Sequence, residues 1–72
     1  MNTKEKFREM IRNSWIYDKF TIEEAEAWED ILNSTQTNSA LKYGEKHEWA
    51  VLQAIYAAYL AGLGYNGFNW RD

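Results

Sequence analysis

The sequence predicts an all-α fold, a compact bundle of three main helices with an aromatic C-terminal tail packed on it. Three observations predict it. Proline is absent and the first glycine is Gly44, so nothing breaks a helix in the first half of the chain. Apolar residues recur at three-and-four spacing in three separate segments. Cap residues stand ahead of two of these segments, Thr3 before the first and the Thr21–Glu24 box before the second.

The first helix is expected from about Lys4 to Ser14, with Thr3 as its cap and Phe7, Met10, Ile11, Ser14 and Trp15 along one face. A second start signal is Thr21-Ile22-Glu23-Glu24, a capping box in which Thr21 and Glu24 satisfy each other's orphan amides, with Phe20 placed as a hydrophobic staple. Ile22, Ala25, Trp28, Ile31 and Leu32 then share one side of that helix, and Glu23, Glu26 and Asp30 the other. The helix is expected to end near Asn33. The polar run Asn33-Ser34-Thr35-Gln36-Thr37-Asn38 reads as a loop, because such side chains compete with the helical backbone for hydrogen bonds. A short helical turn at Ser39 to Tyr43 is expected after it.

The third helix is expected from Glu45 to Leu63, and its far half is apolar all round. Trp49, Leu52, Ile55, Tyr56, Tyr59, Leu60 and Leu63 line one side, and Ala50, Ala54, Ala57, Ala58 and Ala61 the other. A helix without a polar face calls for cover on both sides, from its own domain or from another chain. Gly62 and Gly64 suit a left-handed carboxyl cap. Beyond them, Tyr65, Phe68 and Trp70 flank an Asn-Gly turn signal and are expected to fold back over the core.

With 72 residues the chain fits one domain, residues 1 to 72, and has little core to spare. It has no cysteine and a single histidine, so neither disulfides nor a structural zinc site can staple it. Large aromatic side chains, 17% of the residues, supply burial area instead. The amino terminus lacks the apolar core of a secretory signal, and the apolar stretch from Trp49 to Leu63 is too short to span a membrane, so a cytoplasmic location without membrane contact is expected.

Little in the chain points to chemistry, and no catalytic, cofactor-binding or metal-binding residue is assigned. His47 stands between Glu45 and Glu48 without a serine or cysteine at a motif position, which reads as a surface histidine. Neither a calcium-loop pattern nor a phosphate-binding glycine loop is present. A net charge of -3 argues against a nucleic-acid partner. Charge is nevertheless uneven. Residues 1 to 19 carry five cations against three acids, and residues 20 to 48 carry seven acids against two lysines. Lys4, Arg8 and Arg12 lie one turn apart and either pair with the second helix or touch phosphates.

The ending Tyr59-Leu60-Ala61-Gly62-Leu63-Gly64-Tyr65-Asn66-Gly67-Phe68-Asn69-Trp70-Arg71-Asp72, following an alanine-rich helix, resembles short uncharacterised proteins of Gram-positive phages and mobile elements. The resemblance covers the C-terminal third of the chain. It implies a setting in which small acidic helical proteins bind host enzymes, among them inhibitors of CRISPR and other defence systems.

Three functions remain as expectations. The first is a non-enzymatic protein-binding module acting on a host protein through Glu23, Glu26 and Asp30 together with Tyr65, Phe68 and Trp70. Second comes a structural homo-oligomer, a dimer being the simplest, joined through Ala50, Ala54, Ala57 and Ala61, whose spacing lets another helix approach closely. A small nucleic-acid regulator using the basic first helix is the third.

Overall fold

A computed structural model describes residues 2–64 and shows four α-helices, with no strand among those residues. They are α1 (Thr3–Arg12), α2 (Ile22–Leu32), α3 (Thr35–Tyr43) and α4 (Glu48–Gly62), with a single 3-10 turn, Tyr17–Lys19, between α1 and α2. The radius of gyration is 11.8 Å, close to the roughly 11 Å of a folded chain of this length, so the helices are closed on one another. The all-α class is as the sequence predicts; a fourth helix is added, and the tail expected to pack on the bundle lies outside the described residues.

Helices α1, α2 and α3 each begin where a side chain satisfies free amides. Asn2, rather than the expected Thr3, caps α1, its Oδ1 accepting from the Glu5 amide at 2.8 Å. The capping box of α2 is complete: Thr21 Oγ1 accepts from the Glu24 amide at 3.1 Å, and Glu24 Oε1 accepts from the Thr21 amide at 2.8 Å. Phe20, immediately before the box, packs its ring against Tyr17 and Tyr59.

Helix α3 corrects the expected loop. Ser34 caps it by accepting from the Thr37 amide at 3.1 Å, and Thr37 donates its hydroxyl back to the Ile31 carbonyl at 2.6 Å. Thr37 is buried. The polar side chains that compete with a helix from its interior instead join the end of α2 to the start of α3, and the helix follows. The first helix is likewise shorter than expected. Ser14 donates its hydroxyl to the Ile11 carbonyl at 2.6 Å, the chain turns, and Ile16 becomes buried in place of Trp15, which is 45% exposed.

The core consists of Phe7 and Ile11 from α1, Ile16 from the connection to α2, Trp28 and Leu32 from α2, Leu41 from α3, and Leu52, Tyr56 and Leu60 from α4. Its centre is aromatic. Phe7 meets Trp28 at 6.3 Å, Tyr56 at 6.0 Å and Trp49 at 5.0 Å between ring centroids, the last two edge to face. Trp28 also packs on Tyr56 at 4.7 Å and on Tyr59 at 5.8 Å. Such pairs add about 0.5–1.5 kcal/mol each beyond their buried area, a useful supplement in a domain with few core residues. Of the expected apolar face of α2, Ile22 is the exception at 79% exposed.

Gly44 ends α3 where the chain must pass close to α4. A Cβ added there would lie 2.8 Å from Val51 Cγ2, too close for any real contact. Val51 is β-branched and has little rotamer freedom to yield. Gly44→Ala is therefore expected to lower stability by about 1–3 kcal/mol. Urea unfolding of Gly44→Ala alone and with Val51→Ala checks this: the double variant recovers part of the loss, whereas strict additivity would refute the contact.

Candidate functional site

Three of the four basic residues of α1, all but the exposed Lys6, are spent inside the molecule. Arg8 Nε lies 3.1 Å from Glu29 Oε2 as an ion pair without the alignment of a hydrogen bond, and Arg12 Nη2 donates to Glu29 Oε1 at 3.1 Å. Arg8 also reaches Asn33 Oδ1 at 3.4 Å, and Lys4 reaches Asn38 Oδ1 at 3.3 Å. The stripe thus fastens α1 to α2 and α3. With side chains a quarter to a half exposed, each of these pairs contributes little, within about 1 kcal/mol.

Glu29 is matched in this way, and the acids beyond it are not. Glu23, Glu26 and Asp30 are all exposed on α2, and no ion pair reaches them among the described residues. Glu23 sits in the first turn, where the helix dipole favours an anion. Asp30 sits in the last turn, where it does not, and α2 has no basic residue there to compensate. Glu26 and Asp30 are also one turn apart, so they repel. The placement of Asp30 is unfavourable for stability on both counts.

Two depressions meet at Asp30. A shallow one of about 240 Å³ is lined by Tyr17, Ala25, Glu26, Glu29 and Asp30. The larger, an open groove of about 530 Å³, runs between α2, α3 and α4. Half-buried Ile31, Ala40 and Ile55 give it an apolar floor, and Asp30, Ser34 and Gln36 a polar edge. The groove was not legible in the sequence, because Gln36 and Ala40 reach it only through α3, which the polar run conceals.

On α4, Ala50, Ala54, Ala58 and Ala61 are exposed and Ala57 is half-buried. The exposed line therefore runs through Ala58 where the expected seam ran through Ala57. No charged residue occurs from Trp49 to Gly64, so the outer side of α4 is an uncharged alanine surface that the described residues leave open. Gly64 takes φ +95°, the left-handed conformation expected after the helix end. Tyr65, Phe68 and Trp70, the aromatic part of the expected partner site, lie outside the described residues.

His47 is exposed at the N-cap of α4, and its side chain makes no capping hydrogen bond. Among the described residues, no three His, Cys, Asp or Glu side chains are grouped to hold a metal ion, and no helix is long and apolar enough to cross a membrane.

Tyr59 links α4 to α2 by donating its hydroxyl to the Glu24 carbonyl at 2.5 Å. Burial, and secondly the negative charge of Glu24, hold its pKa above the usual 10.0. Because the folded state raises this pKa, its contribution to stability is complete below about pH 10 and is lost as the pH rises through the folded value. Denaturation midpoints between pH 8 and 12, compared with Tyr59→Phe, test this in the range set by the normal tyrosine pKa of about 10. An alkaline decline is expected that is smaller in the variant; equal declines would rule the linkage out.

No family model, curated protein or solved structure matches the chain.

Proposed function

We propose that this protein is a non-enzymatic protein-binding module that acts through the outer face of α2. The observation that carries the reading is the position of Asp30: it is exposed, unpaired, unfavourable for its own helix, and shared by two adjoining depressions. Residues that oppose stability at a surface are characteristic of places kept for contact. An accessory protein of a phage or mobile element that restrains a host protein, a CRISPR or other defence enzyme included, fits the resemblance of the C-terminal sequence. Acidic faces engage the basic grooves of nucleic-acid enzymes by electrostatic complementarity. The test is affinity for the partner recovered with the wild-type chain: Glu23→Lys, Glu26→Lys and Asp30→Lys together should abolish it, and unchanged affinity would overturn the reading.

A second reading, self-association, is favoured by the exposed alanines of α4. Light scattering behind a sizing column distinguishes it. A mass of 8.5 kDa at every concentration refutes self-association, and a multiple of it that Ala54→Asp returns to 8.5 kDa supports it.

A further inference from the structure

We propose that the groove between α2, α3 and α4 takes a cationic amphipathic segment of a partner protein. An aliphatic side chain of that segment rests on Ile31, Ala40 and Ile55, and a Lys or Arg one turn away meets Asp30 and Glu26. This rests on the protein-binding reading and specifies the partner's chemistry.

The floor and the edge demand different things of an occupant. Ile31 and Ile55 remain half-buried after the chain has folded, and Ala40 is too small to fill the space between them. An apolar group entering there removes their remaining surface from water. At the edge, Asp30 lines both depressions, and neither is lined by a lysine or arginine. Glu29, the third acid, is already engaged by Arg8 and Arg12, so the unmatched charge belongs to Glu26 and Asp30. These two stand one helical turn apart, Asp30 on the edge of the groove and Glu26 in the adjoining depression. A helix with aliphatic residues on one side and cations on the next satisfies both, whereas an anionic or wholly polar segment satisfies neither.

Other occupants fit less well. The basic stripe of a second copy is not on offer, because its Lys4, Arg8 and Arg12 already bond Asn38, Asn33 and Glu29 of their own chain; entry through its exposed Lys6, Lys42 or Lys46 is the outcome that dilution of the free protein reads. The exposed alanines of α4 do not line the groove, so association through them leaves it empty.

The test titrates the full chain with three synthetic helical peptides of about 15 residues, long enough to hold some helix in water. One carries Leu on one face and Lys on the other; the second replaces Lys by Glu; the third replaces Leu by Ser. Methyl resonances of Ile31, Ala40 and Ile55 report the groove, and those of Ala50, Ala54, Ala58 and Ala61 report the outer side of α4. The Leu/Lys peptide is expected to move the groove methyls. The other two are expected not to, and Glu26→Gln with Asp30→Asn should weaken binding about ten-fold, the equivalent of one lost charge contact.

Equal binding of the Leu/Glu peptide, or Leu/Lys binding that leaves the groove methyls still, overturns the assignment. So does absence of binding by all three. Groove methyls that move on dilution without peptide, or on Trp70→Ala, would place a second copy or the chain's own C-terminal residues there and also overturn it. Movement confined to the α4 alanines removes this assignment alone. The broader reading falls only if the triple lysine variant retains full affinity for the recovered partner.

Discussion

Trp28→Ala is expected to leave the protein largely unfolded near physiological temperature. Trp28 is 1% exposed and packs against Phe7, Tyr56 and Tyr59, so it joins α1, α2 and α4 at a single point. Truncating a buried tryptophan costs about 3–5 kcal/mol through lost transfer energy and the cavity left behind. A chain of this length has roughly 4–11 kcal/mol of stability in all, and one without disulfide or metal staples belongs near the lower end. Trp28→Phe should be far milder, within about 1–2 kcal/mol, because a ring remains. It also removes the indole N–H, which is buried with no acceptor among the described residues and which costs about 1–3 kcal/mol when left unsatisfied. Urea titrations followed by circular dichroism compare the two variants. A loss under about 1 kcal/mol for Trp28→Ala would show that the aromatic cluster does not hold the helices together.

Asp30→Lys is expected to separate stability from binding, raising the first while removing the second. The substitution ends repulsion from Glu26, creates a Glu-to-Lys pair at the favourable one-turn spacing, and puts a cation where the helix dipole prefers one. These effects each contribute a few tenths of a kcal/mol, so a gain of about 1 kcal/mol is expected. At the groove the same change replaces an attractive charge by a repulsive one, and affinity for a cationic partner should fall by more than about ten-fold, with slower association and weaker salt dependence. The melting temperature and the binding isotherm of one protein sample check both halves. A variant that loses stability and binding in parallel would show Asp30 to be part of the structure rather than of an interaction surface.

Much of the architecture was readable from residues that act locally. The Thr21–Glu24 capping box, the periodicity of Phe7 and Ile11, and the line Leu52, Tyr56 and Leu60 each predicted an element that is present. What escaped reading depended on where a side chain's hydrogen bond goes. Ser34 and Thr37 discourage a helix when they bond within it, yet here they bond to the Ile31 carbonyl and start one. Composition cannot distinguish these cases. Trp15 and Ile16 exchanged roles for a similar reason, since the early end of α1 at Arg12 rotates the following residues by part of a turn.

The acidic face of α2 was visible as simple amphipathicity, since Glu23, Glu26 and Asp30 need only α2 to be aligned. Its adjoining apolar groove required α3 and was therefore hidden. The alanine face of α4 was visible as a helix lacking polar residues, and the described residues leave it open. Sequence periodicity identifies a face, and only the packed neighbours determine whether that face is covered.

The most direct test of the binding reading is photo-crosslinking in cells that express the protein, with a photoreactive side chain at Gln36 on the groove edge or at Ala54 on α4. The account predicts an adduct from Gln36 with a different protein, lost when Asp30→Lys is added. Adducts from Ala54 alone, with a mass twice the 8.5 kDa of the chain, would contradict it and establish self-association instead.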